Sequence, residues 1–174
     1  MIVCATRGGE ASLAAQDYAI KLAQDTNQEL VFLCVTDTHV LAGTSDTRPH
    51  DIAHDLTRMS EFILCIAEDR ARDAGLENVR WVCHLGNARE EIQRFVTDSG
   101  ASVLVLGRPA LEGDEQRFSY GELESFARYL ESELDLKVYF VEPTADDLTP
   151  SDDRLTSNDS VSTEDSVSPV ENDD

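Results

Sequence analysis

Apolar residues along the chain fall either in short unbroken runs or at helical spacing, and the two patterns alternate from one end to the other. Runs at residues 2–6, 30–35, 80–84, 103–106 and 137–141 predict five strands. Val103, Leu104, Val105 and Leu106 show no alternation with polar residues, as in a parallel strand covered on both faces. Between the runs lie four amphipathic stretches, predicted as helices over 12–25, 51–74, 88–98 and 120–134. Their expected inward faces are Ala15, Tyr18, Ala19, Leu22 and Ala23; then Ile52, Leu56, Met59, Ile63, Ile66 and Ala67; then Ile92, Phe95 and Val96; and last Leu123, Phe126, Ala127 and Leu130. Gly75 stops the second helix.

Regular alternation of strand and helix specifies an α/β fold with a parallel sheet and right-handed crossovers. The run at 103–106 ends in Gly107-Arg108-Pro109. In open α/β sheets the ligand crevice lies at the carboxyl ends of the strands, so this turn and the one after the first strand, Arg7-Gly8-Gly9-Glu10, are the places to look for function.

Charge narrows the choice of partner. Of 35 acidic residues, eleven lie in residues 142–174 against one base, Arg154, and that segment has no aromatic residue. It cannot bury a core and is expected to be a disordered acidic tail behind a folded domain of residues 1–141. The whole chain carries −21. Phosphate repulsion then argues against nucleic acid and anionic membranes as partners. Lys21 and Lys137 are the only lysines. Many carboxylates with few lysines suit a salt-rich cytosol, where repulsion is screened.

Cys4, Cys34, Cys65 and Cys83 sit in apolar segments with no CxxC pair, and are read as small core hydrophobes. The amino-terminal segment has no basic region and too short an apolar run for a signal peptide, and no stretch is long enough to span a bilayer. A soluble cytoplasmic protein is expected.

The stretches IVCATRGGEAS, ELVFLCVTD, VCHLGNAREEI and ASVLVLGRP together resemble the universal stress protein family over residues 1–141. The resemblance implies a single open, doubly wound, Rossmann-like five-stranded parallel sheet in order 3-2-1-4-5 with four helices. It also implies a homodimer paired through the last strand, Lys137–Val141, and in many members ATP, with Mg²⁺, at the carboxyl edge of strands one and four. The positions it assigns to nucleotide contact are Ala5, Thr6, Arg7, Gly8, Val35, Gly86, Gly107, Arg108 and Ser119. Three of the motif positions differ here. Arg7 stands where binders carry an adenine-contacting aspartate, Ala110 replaces the second glycine of the Gly-x-x-Gly turn, and Phe118-Ser119 replaces Gly-Ser.

Phosphates need backbone N–H groups brought close by glycine, at a helix start, without nearby negative charge. Glu112, Asp114 and Glu115 crowd this loop instead. Ser119-Tyr120-Gly121-Glu122 also reads as a capping box that needs no ligand. The expectation is therefore a non-enzymatic, stress-associated regulatory or binding protein with an altered nucleotide site and no certain cofactor. The alternative is a module that holds ATP or AMP in a crevice between Arg7 and Arg108, since arginine forks suit phosphate or carboxylate. A plainer reading pairs those arginines with acids such as Glu112 or Asp37.

Weaker signals complete the reading. His50 and His54 have the i, i+4 spacing of a zinc site but lack its glutamate and a third ligand. Gly8 to Ser12 faintly resembles the GGxDS loop of ATP pyrophosphatases, with Ala11 where the aspartate belongs. His84, beside Gly86, is either pocket-lining and pH-sensitive or an ordinary strand-end histidine.

Overall fold

Which apolar stripe each element presents to its neighbours decides the layering. The computed structural model describes residues 1–37, 49–108 and 120–143. The elements are β1 (Ile2–Ala5), α1 (Glu10–Thr26), β2 (Leu30–Thr36), α2 (Pro49–Asp73), β3 (Val79–Leu85), α3 (Ala88–Ser99), β4 (Val103–Gly107), α4 (Tyr120–Glu133) and β5 (Lys137–Val141). All strands pair in parallel, in the order β3-β2-β1-β4-β5. This is the five-stranded α/β architecture expected from the sequence.

Successive side chains of a strand point to opposite faces, and each face has its own core. Ile2, Cys4, Phe32, Cys34 and Val105 pack with Ala15, Ala19 and Ala23 of α1 and Leu64, Ala67 and Ala71 of α2. Val3, Val31, Leu33, Leu104 and Leu106 pack with Ile92 and Val96 of α3 and Phe126 and Leu130 of α4. The helices that flank the crossovers thus cover both faces, which is why β1, β2 and β4 read as unbroken apolar runs.

Two helices depart from the expected faces. In α1, Ala15, Ala19 and Ala23 are buried, but Tyr18 is exposed and stands 5.5 Å from the Tyr139 ring of β5. In α2, Leu64, Ala67 and Ala71 face the sheet while Met59 and Ile66, expected inward, face out with Phe62. The helix carries two apolar stripes, and the one with alanines lets it approach the strands more closely.

Asn27, in the left-handed region, ends α1 by donating its N–H to the Ala23 carbonyl, and Gly100 ends α3 in the same conformation. The Asn87 side chain accepts from the N–H groups of Arg89 and Glu90, capping α3 just after Gly86. The acidic segment of residues 144–174, the polar loop at 38–48 and the loop carrying Ala110, Glu112 and Ser119 lie outside the described residues.

Candidate functional site

β1 lies between β2 and β4, with Ala5 in register with Leu33 on one side and Leu106 on the other. The turns that leave β1 and β4 are therefore neighbours at the carboxyl edge of the sheet. Among the sequence-predicted positions, Ala5 and Val35 are half-buried and pack on the α3/α4 face of the sheet. Thr6 is buried on the other side, under α1.

The β1–α1 turn is held by a buried chain of polar groups. The N–H of Thr6 donates to the Leu33 carbonyl (2.8 Å), continuing the ladder by one residue. Its hydroxyl accepts from Gln16 Nε2 (2.8 Å). Gln16 is 2% exposed, and its Oε1 accepts from Arg70 Nη1 of α2 (2.6 Å), while the other arm of Arg70 reaches Asp17. The Arg7 N–H donates to Ser12 Oγ (3.3 Å). A buried amide has to satisfy both its donor and its acceptor, and here it does so by tying the turn to two helices. Gly8, at φ +91°, brings its backbone against Ile63 of α2; a Cβ there would lie 3.2 Å from Ile63 Cδ1.

Arg7 itself is exposed and makes no ion pair among the described residues. Arg108 differs in every respect. Its N–H donates to the Val141 carbonyl (2.7 Å), and its guanidinium pairs with Glu142 (2.6 Å) and Glu124 (3.7 Å) and lies 5.4 Å from the Phe140 ring centre. These partners belong to α4 and to β5 and its end. The two arginines start from adjacent strands, and among the described residues Arg108 is held by acids of the β4–β5 side. Glu112, one acid expected to hold Arg108, lies outside the described residues, as does Ser119.

Gly107 has a structural duty that needs no ligand. A Cβ at this position would lie 2.3 Å from the Ala11 carbonyl oxygen and 2.7 Å from its carbon. The first turn of α1 therefore rests directly on the β4 backbone, and only glycine permits that approach.

At the neighbouring edge, the Gly86 N–H donates to the Thr36 carbonyl (3.0 Å), and the Glu91 side chain lies against Gly86. The Glu91 carboxylate bonds His84 Nδ1 (2.9 Å) and Arg94, and the His84 ring meets Phe95 edge-on. His84 is thus held by an acid and a ring, and the place beside Gly86 is occupied by a carboxylate. Thr36 Oγ1 is 2.8 Å from Ser60 Oγ, fixing the end of β2 to α2.

Burial pushes the Cys4 thiol up to about 12 and raises Cys34 and Cys83 as well. A raised thiol holds little thiolate at neutral pH, so these three cysteines are poor nucleophiles. Cys65 is exposed on α2 and lies apart from the sheet core. His54 pairs with Asp55 (3.8 Å), the side chain of His50 lies outside those described, and among the described residues no group of three metal-ligating side chains assembles.

Gln16, Arg70, Glu91, Glu124 and Glu142 did not emerge from sequence patterns as site residues. Gln16 had a usable signal, a polar side chain set among Ala15, Ala19 and Ile20 on an inward helical face. Glu91 is close in sequence to its partners His84 and Arg94, whereas Glu124 and Glu142 meet Arg108 from distant elements and carried no local signal.

The fold is shared with solved universal stress proteins. The protein from Lactobacillus plantarum superposes with a TM-score of 0.65 at 15% identity, covering 80% of this chain and 95% of that one. One from Archaeoglobus fulgidus, solved in complex with dAMP, gives 0.52 at 17%, with coverages of 80% and 95%. Another, solved in complex with cAMP, gives 0.55 at 20%, with coverages of 82% and 97%. No curated protein sequence matches the chain. No helix among the described residues is long and apolar enough to cross a membrane. The model of the universal stress protein family matches residues 1–141, so the chain belongs to that family.

Proposed function

We propose that this chain is a non-enzymatic, stress-associated binding or regulatory protein whose nucleotide site is altered so that it does not retain a triphosphate. The observation that carries this reading is the engagement of Arg108 by Glu124 and Glu142 on the β4–β5 side. A triphosphate needs several positive or N–H donors converging on it, and among the described residues these acids compete for Arg108 while Arg7 makes no ion pair. The glutamate beside Gly86 adds a negative charge where a ribose-contacting glycine is expected. Support for the non-enzymatic part comes from the same residues. His84 and Glu91 are occupied with each other, and burial suppresses three of the four thiols.

Mass spectrometry of small molecules released by acid from protein purified in high-salt buffer tests the reading. No stoichiometric ATP is expected, and ATP at one equivalent per chain would refute it.

A second reading is favoured by one observation, the unpaired exposed Arg7. A single arginine suffices for one phosphate, and two related solved proteins carry the monophosphates cAMP and dAMP. On this reading the crevice takes a nucleoside monophosphate through Arg7, with Gly8 and Thr6 supplying the turn.

The dimer expected from the family is proposed here through β5. Its sheet edge, Lys137–Val141, pairs with β4 alone among the described strands, and an uncovered strand edge favours pairing with another chain. Light scattering at high protein concentration and high salt should give twice the chain mass; a monomer contradicts it. The scarcity of lysine supports a salt-adapted protein. Its melting temperature is then expected to rise between low and molar KCl, and an unchanged value rejects the idea.

A further inference from the structure

Helix α2 exposes a row of large apolar side chains that the sheet does not use. Met59 is 64% exposed, Phe62 68% and Ile66 42%, and Cys65 is exposed beside them. Their spacing of three, three and one residues places them on one helical stripe. An isolated exposed apolar residue needs no explanation, but a contiguous row of such size marks a contact surface.

The ends of the row indicate what covers it. Exposed Asp55 and Arg58 precede Met59, and exposed Asp69 and Arg72 follow Ile66 on the same stripe. Each end therefore carries one acid and one base. If two such helices pair antiparallel about a two-fold axis near the middle of the row, Arg58 meets the second copy's Asp69. Asp55 then meets its Arg72, and Phe62 lies against its Cys65. The stripe is complementary to itself in both charge and apolar content, as an isologous contact requires.

We infer that the Met59–Phe62–Ile66 stripe of α2 is a self-association surface that pairs antiparallel with the same stripe of a second copy of this chain. α2 covers β2 and β3, at the opposite end of the sheet from β5. The contact is therefore separate from edge pairing through β5 and does not depend on the nucleotide reading. With both copies at −21, long-range repulsion opposes the encounter, so association strengthens as KCl screens it. Asp55 is near His54, and Arg72 pairs with Glu68 of its own helix, contacts that leave their outward faces available to the rim.

A short bismaleimide added to the full-length protein tests the inference, because Cys65 is the exposed thiol among the four. At near-physiological ionic strength the expected product is a covalent dimer joined Cys65 to Cys65, identified from its linked peptide. Phe62→Glu and Arg58→Asp each lower its yield about tenfold. The double exchange Arg58→Asp with Asp69→Arg restores it. All of these positions are exposed, and circular dichroism of the variants should match the parent. Absence of a Cys65-linked dimer overturns the proposal, as does a yield unchanged in Phe62→Glu or a double exchange that fails to restore it. Shielding of Cys65 from a monofunctional maleimide at concentrations where the chain is monomeric also overturns it, because a segment of the same chain then covers the stripe.

Discussion

The turns that leave β1 and β4 lie side by side at the same sheet edge, yet they are built from different materials. The first is fixed by a hydrogen bond between buried Thr6 and Gln16, itself anchored by the half-buried Arg70, and leaves Arg7 exposed. The second is fixed by a backbone contact at Gly107 and by two carboxylates, half-buried Glu124 and exposed Glu142, that hold Arg108. A buried hydrogen bond is costly to break, whereas ion pairs open to solvent contribute little and are screened by salt. Geometry at the first turn is therefore rigid, while the position of the second arginine is held loosely.

The largest expected effect comes from Gly107→Ala. The new methyl would overlap the Ala11 carbonyl, so α1 must move off β4, at a cost of about 3 kcal/mol. Urea denaturation of the variant should show it as a lowered midpoint at unchanged slope. A midpoint equal to the parent's would mean that α1 rides freely over β4, and the contrast between the turns would lose its rigid backbone contact.

Gln16→Leu comes next. It keeps the bulk but strands the Thr6 hydroxyl and removes one partner of Arg70, costing about 2 kcal/mol. Arg70→Ala should cost less, because Gln16 is the deeper member. If Gln16→Leu were neutral in the same denaturation assay, the β1 turn would not owe its order to the relay.

The smallest effect is expected from Glu142→Ala, below about 1 kcal/mol, because Glu142 is exposed and Glu124 remains. Its consequence is functional. Releasing Arg108 from one of its acids should raise the affinity for Mg-ATP relative to the parent, measured by calorimetry. An affinity that stays flat in a Glu124→Gln/Glu142→Gln variant would show that Arg108 cannot reach a ligand from where it stands.

Much of the fold is legible in the chain because its strands are buried on both faces and its helices are amphipathic. Residues 103–106 announce a central strand by themselves, and the sheet order follows from the family resemblance. α2 exposes the limit of periodicity. It has two apolar stripes, and while Ala67 faces inward as its spacing predicts, nothing in the spacing says that Leu64 and Ala71 join it while Met59 and Ile66 face away. Packing against the strands selects the stripe of Leu64, Ala67 and Ala71, a tertiary fact invisible locally.

The site is less legible for a related reason. Arg7 and Arg108 can be placed on adjacent turns from the strand order. The direction of a long side chain depends on acids that arrive from elsewhere, here Glu124 from α4 and Glu142 beyond β5. Likewise Gly107 matches a ligand-binding pattern but is required by the close approach of α1, and sequence cannot separate those two demands on a glycine.

Calorimetric titration of Mg-ATP and of AMP into the parent protein and into Arg7→Ala tests the account most directly. An altered site served by Arg7 predicts that Mg-ATP binds no more tightly than AMP, and that Arg7→Ala removes whatever binding there is. Stoichiometric Mg-ATP binding much tighter than that of AMP, and indifferent to Arg7→Ala, would contradict it.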